Sequence, residues 1–432
     1  MWTNAQNLAL LERARAVIPG GMYGHQSTGM LPREFPQYFQ RASGSRLWDV
    51  DGNEYIDYLC AYGPNLFGYR NPVIEQAAMD QTVQVDSATG PAPVMVELAE
   101  LLVSMISHAD WAMFCKNGTD ATSIAMMCAR AYRGRNKIIA ARGAYHGCAP
   151  WSTPLRAGTT HEDQANVIFF DYDDIESLNQ AVKKAGSDLA GIIATPFWHE
   201  VFVDQFLPTK AYAQAVRRLC DEHDALMIVD EVRAGFRLSR DCSWGEFGVQ
   251  PDLSAWGKAI ANGYPLSAVL GSEKVRQAAS SIYVTGTFWF QAVPMAAAVA
   301  TLKIIRSTDY LKHIQEIGEQ FRVGLEGQAS AAGFRLRQSG PSQMPQILFE
   351  DDPDLRVGYA WARETLKGGI LVHPYHNMFV SAAMTTDDVR KSLDATARAF
   401  ELIKRERDHL PAPTNASLLK RLEMKGRLPA HA

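Results

Sequence analysis

The sequence lacks the features that mark secreted, membrane-spanning and nucleic-acid-binding proteins. Its six cysteines in 432 residues form no C-x-x-C pair, so we expect free thiols in a reducing cytoplasm. The first residues show no basic stretch followed by an apolar core and a cleavage site, so no secretory signal is predicted. No apolar run reaches the ~18 residues that span a bilayer. With a net charge of −4 there is no basic field, so we expect neither nucleic acid nor a membrane as a partner.

What the middle of the chain does contain is a regular alternation of short apolar runs and helical patterns. Several of the runs are continuous rather than alternating, as in strands of a parallel sheet that is buried on both faces. The candidate strands are residues 111–115, 137–140, 167–170, 191–194, 225–229, 253–256 and 266–270. Helical patterns at 122–133 and 211–222 are typical of the connections between them. The pattern predicts an α/β fold with a mostly parallel, seven-stranded sheet.

The two ends of the chain look different from the middle. After two long helices, the C-terminal third shows short strand patterns at 334–337, 346–349 and 378–382 and a last helix at 386–405. A short basic amphipathic stretch at 418–427 is predicted to be a solvated or dimer-contacting tail. We therefore predict an N-terminal segment, 1–60, packed with a smaller α+β domain, 296–432, and a large domain between them, 61–295.

Two strand patterns end in ionisable residues. The apolar run 226–229 leads into Asp230, and the run 253–256 leads through Gly257 into Lys258. In open α/β sheets ligands bind beyond the carboxyl ends of strands, and a partly buried lysine has a lowered pKa and becomes a nucleophile. Taken singly, the acid is better explained as a helix cap or loop charge, and the lysine as a solvated surface group.

Two further segments follow strands at the same edge. Gly118 and Thr119 open the helix after the first strand, where free N–H groups and the helix dipole favour an anion. Tyr145 lies in a Gly-Ala-Tyr-His-Gly turn after the second strand, where an aromatic ring can stack on a flat heterocycle. The order of phosphate turn, aromatic, acid and lysine, with the last two 28 residues apart, matches the needs of pyridoxal 5′-phosphate (PLP).

These segments resemble those of the class III (ornithine- and glutamate-semialdehyde-type) PLP-dependent aminotransferases of fold type I. The most specific pieces are residues 117–121, 144–147, 230–237 and 257–258, and the resemblance extends from residue 15 to residue 383. Residues 20–25, 61–66, 108–115 and 373–379 are not family-wide, and they resemble the branch that deaminates hydrolysed fumonisin, a long-chain amino polyol. The resemblance implies an amine:pyruvate-type transaminase with a ping-pong mechanism.

The resemblance also implies roles for the residues around the cofactor. Gly118 and Thr119 would bind the phosphate. Tyr145 would stack on the ring with His146 beside it, and Val232 would pack on the opposite face.

Three more residues have implied roles in chemistry and assembly. Asp230 would pair with the ring nitrogen. Lys258 would carry the cofactor and act as the acid and base of proton transfer. Thr287 would reach the phosphate of a partner subunit, so that a homodimer shares its active sites.

Some positions depart from the family pattern. Thr195 stands where many relatives have a glutamate, and whether Glu200 replaces it is open. Phe288 and Trp289 follow Thr287 where semialdehyde aminomutases have small residues, which predicts an aromatic pocket wall for apolar substrate groups.

The substrate pocket has further candidates. Tyr23, His25 and Tyr62 are candidate pocket residues, and no arginine near them matches the one that grips a carboxylate in semialdehyde aminomutases. A donor amine without an α-carboxylate is therefore favoured. The keto-acid acceptor, pyruvate by resemblance, still needs a cation, for which Arg233 and Arg237 are candidates.

Other interpretations remain open. An aminomutase or racemase of the same fold would need no keto acid, and a non-catalytic PLP-fold protein would be expected to lack the lysine or the acid. His373 and His376 flank a proline without a cysteine or acid cluster, so no metal site is expected.

Overall fold

The structure of the protein is a computed structural model that describes residues 2–428, without the side chain of His25. The described part contains thirteen strands. In chain order these are β1 (Phe39–Ser43), β2 (Arg46–Asp49), β3 (Glu54–Asp57), β4 (Trp111–Cys115), β5 (Lys137–Ala141), β6 (Val167–Phe170), β7 (Leu189–Ala194), β8 (Leu226–Asp230), β9 (Leu253–Trp256), β10 (Ser267–Gly271), β11 (Leu336–Ser339), β12 (Gln346–Phe349) and β13 (Ile370–Leu371).

Twelve α-helices connect or flank these strands in the described residues. They are α1 (Ala5–Val17), α2 (Pro72–Thr82), α3 (Val94–Met105), α4 (Gly118–Arg133), α5 (Ile175–Ala185), α6 (Lys210–Glu222), α7 (Arg276–Ser281), α8 (Ala292–Ser307), α9 (Tyr310–Ala332), α10 (Arg356–Lys367), α11 (Thr386–Arg405) and α12 (Ala416–Met424).

The main sheet has seven strands in the order β4-β10-β9-β8-β7-β5-β6. The neighbours from β9 to β6 are parallel, and β10 runs antiparallel to both β4 and β9. This confirms the predicted mostly parallel, seven-stranded sheet and its α/β class. The carboxyl ends of β4, β5, β8 and β9 therefore meet at one edge of the sheet.

Both faces of the sheet are buried, which explains the continuous apolar runs in the sequence. On β5, Ile138 packs in a core with α4, whereas its neighbour Ile139 packs on the other face in a core with α5 and α6. Successive side chains of a strand point to opposite faces, so a strand covered on both sides needs an apolar residue at every position.

The ends of the chain meet in a second, smaller sheet. β3 pairs in parallel with β13, and β1 and β2 extend that sheet in the order β1-β2-β3-β13. Helices α9 and α10 pack against α11, and β11 and β12 form a two-stranded sheet. The domain limits at residues 60 and 295 stay a prediction.

The predicted strand at 378–382 is wrong. That segment is extended, and the Met378 and Val380 amides donate to the carbonyls of Pro345 and Gln343. Pro345 has no N–H to donate back, and the Val380 carbonyl accepts from Arg237 at 2.8 Å. The reciprocal hydrogen bonds of an antiparallel ladder are therefore missing, and no strand forms.

The C-terminal part of the chain differs from the prediction in its tail and in two elements that were not predicted there. The basic stretch at 418–427 falls largely in α12, whose Leu418 and Leu422 are fully buried against Met30 and Tyr375 of the same chain. The tail is therefore packed rather than solvated. Helix α10 and strand β13 were not predicted. Within residues 2–428, no helix is both long and apolar enough to cross a membrane.

Candidate active site

A cavity of ≈ 300 Å³ lies at the edge where the parallel strands end. The turn after β4, the turn after β5, the end of β8 and Lys258 after β9 all contribute to its wall. Seven of the predicted site residues line it: Gly118, Thr119, Tyr145, His146, Asp230, Val232 and Lys258.

One end of the cavity is formed by the start of helix α4. Asn117 accepts a hydrogen bond from the amide of Asp120 at 3.1 Å, and the Asp120 carboxylate accepts from the Asn117 amide at 3.2 Å, which fixes the first turn. A Cβ on Gly118 would lie 2.7 Å from Cγ1 of Val232. The backbone at this turn therefore approaches the cavity as closely as glycine allows, with the positive end of a 16-residue helix behind it.

Thr119 and Lys116 add polar groups to the same end. The Thr119 hydroxyl oxygen accepts from the Cys148 amide at 3.1 Å, which ties the α4 turn to the turn after β5. Lys116 Nζ is buried without a hydrogen-bond partner among the described residues, and burial lowers the pKa of this lysine. A cation, a hydroxyl and the start of a helix together suit a phosphate group.

Asp230 lies deep in the cavity and is held from two sides. Its Oδ2 is 2.8 Å from Nδ1 of His146, and its Oδ1 accepts from the Val232 amide at 3.1 Å. Both side chains are buried, and the His146 ring stacks on Trp151 with ring centroids 6.2 Å apart. His146 thus lines the cavity and also holds the acid, and its predicted place beside the cofactor ring stays a prediction. His146 fixes the carboxylate, which faces the cavity.

Lys258 follows β9 in a backbone conformation that side-chain-bearing residues rarely adopt, with φ of 45°. A Cβ on the preceding Gly257 would lie 2.7 Å from Ser267 Oγ, so a larger residue there would displace the Ser267 hydroxyl. Burial first, and then the charge of Arg233, lowers the pKa of Lys258 to about 7, while Asp230 opposes the shift. A large part of the amine is therefore neutral and nucleophilic at neutral pH.

The second acid after β8 has a different role. Glu231 points away from the cavity, where its oxygens accept from the Ser243 amide at 2.6 Å and the Ser243 hydroxyl at 2.7 Å. Burial raises the pKa of Glu231 to about 7, although these hydrogen bonds oppose the shift. Of the two acids, only Asp230 faces the cavity.

Of the two candidate arginines and Glu200, only Arg233 lines the cavity. Arg233 lines the cavity, whereas Arg237 is wholly buried and donates to the carbonyls of Gly63 and Val380. Glu200 forms an ion pair with Lys425 of the C-terminal tail. His199, which was not singled out in the sequence, also lines the cavity.

Three predicted residues lie outside this cavity, on one surface segment. Thr287 is exposed, Phe288 is 59% exposed and Trp289 packs in part against the core around α4. None of the three lines the cavity of its own chain.

The N-terminal pocket candidates are also away from the cavity. Tyr23 is 70% exposed. Tyr62 is buried in the wall of a second cavity of ≈ 290 Å³, with its ring edge against His376 at 5.3 Å between centroids. The side chain of His25 lies outside what the structure describes. Residues 2–428 contain no group of three or more His, Cys, Asp or Glu side chains that could hold a metal ion.

The donor set of the cavity fits PLP. A phosphate suits the helix start with its hydroxyl and its unpartnered buried ammonium, and a pyridine nitrogen suits the buried carboxylate of Asp230. A lysine with a lowered pKa at the same cavity suits the aldehyde. Tyr145, 46% exposed at the mouth, offers a ring face between these ends.

Comparisons with known proteins agree with this fit. The sequence pattern of the family Aminotransferase class-III matches residues 31–399. The aminopentol aminotransferase of Sphingopyxis macrogoltabida is 58% identical over 397 residues, covering 92% of this chain and 94% of that protein. The 3-aminobutyryl-CoA aminotransferase of Cloacimonas acidaminovorans (strain Evry) is 33% identical over 409 residues, covering 93% and 98% of the two chains.

A solved structure extends the likeness to three dimensions. The FumI protein of Sphingopyxis sp. MTA144, in its PLP internal aldimine form, superposes with a TM-score of 0.94 at 57% identity, covering 94% of this chain and 99% of that one. The expected fold type I is thereby confirmed. The chain belongs to the class III aminotransferases, with PLP as its cofactor and an amine donor and a keto-acid acceptor as its substrates.

Proposed function

We propose that this enzyme takes the amino group from a bulky or long-chain primary amine of the hydrolysed-fumonisin type and transfers it to pyruvate. The observation that carries the proposal is the 58% identity, over almost the whole chain, to an aminopentol aminotransferase. Among the described residues, no arginine lines the second cavity next to Tyr62, which supports a donor without an α-carboxylate.

In this proposal some cavity residues bind the cofactor and others take part in proton transfer. Gly118 and Thr119 bind the phosphate, and Tyr145 and Val232 enclose the ring from its two faces. When bound, PLP supplies a ring that accepts the electron pair left behind when a proton leaves the donor carbon. Residues that sit on opposite sides of the ring also exclude water from the reacting atoms.

Asp230 holds one proton in place, and Lys258 transfers another. Asp230 holds a proton on the ring nitrogen, and His146, at 2.8 Å, keeps the carboxylate in place. Lys258 attaches the cofactor and then, as a neutral amine, takes the proton from the carbon that bears the donor's amino group. The oxidised donor leaves before pyruvate binds, which makes the mechanism ping-pong.

A homodimer completes the proposal. Tyr283, Phe288 and Phe290 are 87%, 59% and 41% exposed within one short segment, and exposed apolar groups of this kind mark interaction surfaces. On this reading Thr287 reaches the phosphate of the partner subunit, and Phe288 and Trp289 form the wall of its substrate pocket. A cytoplasmic location also stays a prediction, from the sparse cysteines.

The substrate proposal is tested with a panel of amines. Purified enzyme loaded with PLP is given hydrolysed fumonisin, shorter 2-aminoalkanes or an α-amino acid, each with pyruvate, and alanine is measured. We expect stoichiometric alanine, fastest with the long amine, none from Lys258→Ala and normal amounts from the exposed control Lys183→Ala. Turnover without a keto acid would instead favour an aminomutase or racemase.

The shared site is tested with mixed dimers. Thr287→Asp should place a carboxylate against the partner's phosphate and abolish activity, whereas Ser330→Asp on the exposed side of α9 should not. Mixing inactive Lys258→Ala with inactive Thr287→Asp should restore activity, because one site of each mixed dimer then carries neither change. Absence of restored activity, with mixed dimers shown by mass spectrometry, would contradict a site made from two chains.

A further inference from the structure

The wall of the cofactor cavity contains a guanidinium that no acid neutralises. Arg233 lines the same cavity as Lys258, and its Nη1 donates to Oδ1 of Asn377 from the C-terminal part of the chain. In the part of the chain that the structure describes, no carboxylate forms an ion pair with this side chain, and Asp230 acts on it only from a longer distance.

The surroundings of Arg233 leave its charge uncompensated. Burial lowers the pKa of Arg233 to about 10, so the side chain still carries its charge at neutral pH. His199 and His376 do not compete for an anion as cations, because burial and then the charge of Arg233 lower the pKa of each well below its ordinary value. A partly buried charge without an ionic partner is unfavourable, and an anionic ligand would offset that cost.

The guanidinium is held in place rather than free to turn away. Asn377 is 2% exposed, and its Nδ2 donates to the carbonyl of Met378 at 3.2 Å, which directs its Oδ1 toward Arg233. Only part of the guanidinium's hydrogen-bonding capacity is used by this contact. In contrast, the three guanidinium nitrogens of Arg237 donate to the carbonyls of Gly63 and Val380, and Arg237 does not line the cavity.

We propose that Arg233 binds the carboxylate of the keto-acid acceptor, with Asn377 as the residue that positions the guanidinium. The proposal rests on the proposed function, in which the acceptor carries a carboxylate next to its carbonyl and the donor does not. A planar guanidinium binds a carboxylate through two parallel hydrogen bonds, which fixes the carbonyl carbon of the acceptor relative to the cofactor.

The test compares acceptors with and without the carboxylate. Enzyme loaded with PLP and a fixed amine donor is given pyruvate or propanal, which has the same carbon skeleton without the negative charge. In Arg233→Met, kcat/KM for pyruvate should fall about 100-fold, the loss expected for charged hydrogen bonds, while that for propanal changes less than about threefold. Arg142→Met, an exposed arginine on the loop after β5, is the control and should change neither.

Asn377→Leu tests the positioning role through a split between binding and turnover. It should raise the KM for pyruvate about tenfold with kcat nearly unchanged, since the guanidinium is still present but less well directed. Arg233→Lys should recover only part of the pyruvate activity, because an ammonium lacks the two-pronged geometry. These two variants also serve if Arg233→Met does not load PLP.

Two results would overturn the inference. An equal loss with pyruvate and propanal would remove the link to the carboxylate. A shifted absorbance of the bound cofactor with an unchanged KM for pyruvate would assign Arg233 to the ring oxygen of PLP, the other anionic oxygen in the cavity. If wild-type enzyme transfers no amino group from the amine panel to pyruvate, it is the proposed function that fails instead.

Discussion

Capture of PLP by the apoenzyme is expected to have a pH midpoint near 7. Only the neutral amine of a lysine attacks an aldehyde. Burial is the main reason why the pKa of Lys258 falls to about 7, and the nearby charge of Arg233 is the second. The capture rate should therefore rise from pH 6 and level off above pH 8, where an ordinary lysine would still be almost fully protonated.

The size of the effect follows from the two pKa values. With a pKa of about 7, about half of Lys258 is neutral at pH 7, whereas a lysine with an ordinary pKa of about 10.4 is neutral in fewer than about one molecule in a thousand. The structure therefore predicts a rate advantage of about a thousandfold at pH 7 over an exposed lysine of equal intrinsic reactivity.

The assay is stopped-flow absorbance of PLP mixed with apoenzyme between pH 5.5 and 9.5, in buffers without phosphate. The same series with an acetylated free lysine corrects for the titration of PLP itself. Arg233→Met should raise the midpoint because it removes a positive charge next to the amine, and Arg142→Met should leave it unchanged. A rate that continues to rise through pH 9.5 without a plateau would refute the reasoning.

Three further substitutions address the acids and the phosphate turn. Asp230→Asn should still load PLP but turn over about 100-fold more slowly, because a neutral amide does not hold the proton on the ring nitrogen; a kcat close to wild type would contradict this role. Thr119→Val should raise the Kd for PLP at least about tenfold, measured by equilibrium dialysis, by removing a hydrogen bond to a charged group, and an unchanged Kd would count against it. The pKa of Glu231 is raised to about 7 in the folded state, so the stability linked to its protonation is present at low pH and is lost as pH rises from about 4.5 through 7. Glu231→Gln lacks this loss, of up to about 3 kcal/mol, so its unfolding temperature should gain on wild type between pH 5 and 8; a constant difference would be evidence against the raised pKa.

The sheet and the strand-end residues were predictable because local patterns specify them. A strand covered on both faces needs an uninterrupted apolar run, as in 226–229, and the residue that follows must then lie at the ligand edge. That rule brings Asp230 and Lys258 to one cavity without any knowledge of long-range contacts. The chemistry expected of them came from the residue types and from the family resemblance.

Contacts between distant segments were not predictable in this way. Asn377 meets Arg233 across 144 residues of sequence, and nothing local to either residue indicates the pairing. The segment at 378–382 has the composition of a strand, but the proline opposite it has no N–H and a distant arginine takes its Val380 carbonyl, so no ladder forms. Nothing in the sequence distinguishes Lys116 from a solvated lysine at a strand end, and only the fold shows that its amine is buried.

The buried Arg237 argues against cutting the chain at the predicted boundary near residue 295. Its guanidinium donates to the carbonyls of Gly63 and Val380, which lie on opposite sides of that boundary. Each side of the boundary therefore supplies hydrogen-bond acceptors to the same buried charge. A fragment cut at the boundary would keep the charge and lose an acceptor. Split reporters, chimaeras and circular permutants of this enzyme should therefore be opened elsewhere, at a surface loop that leaves this tie intact.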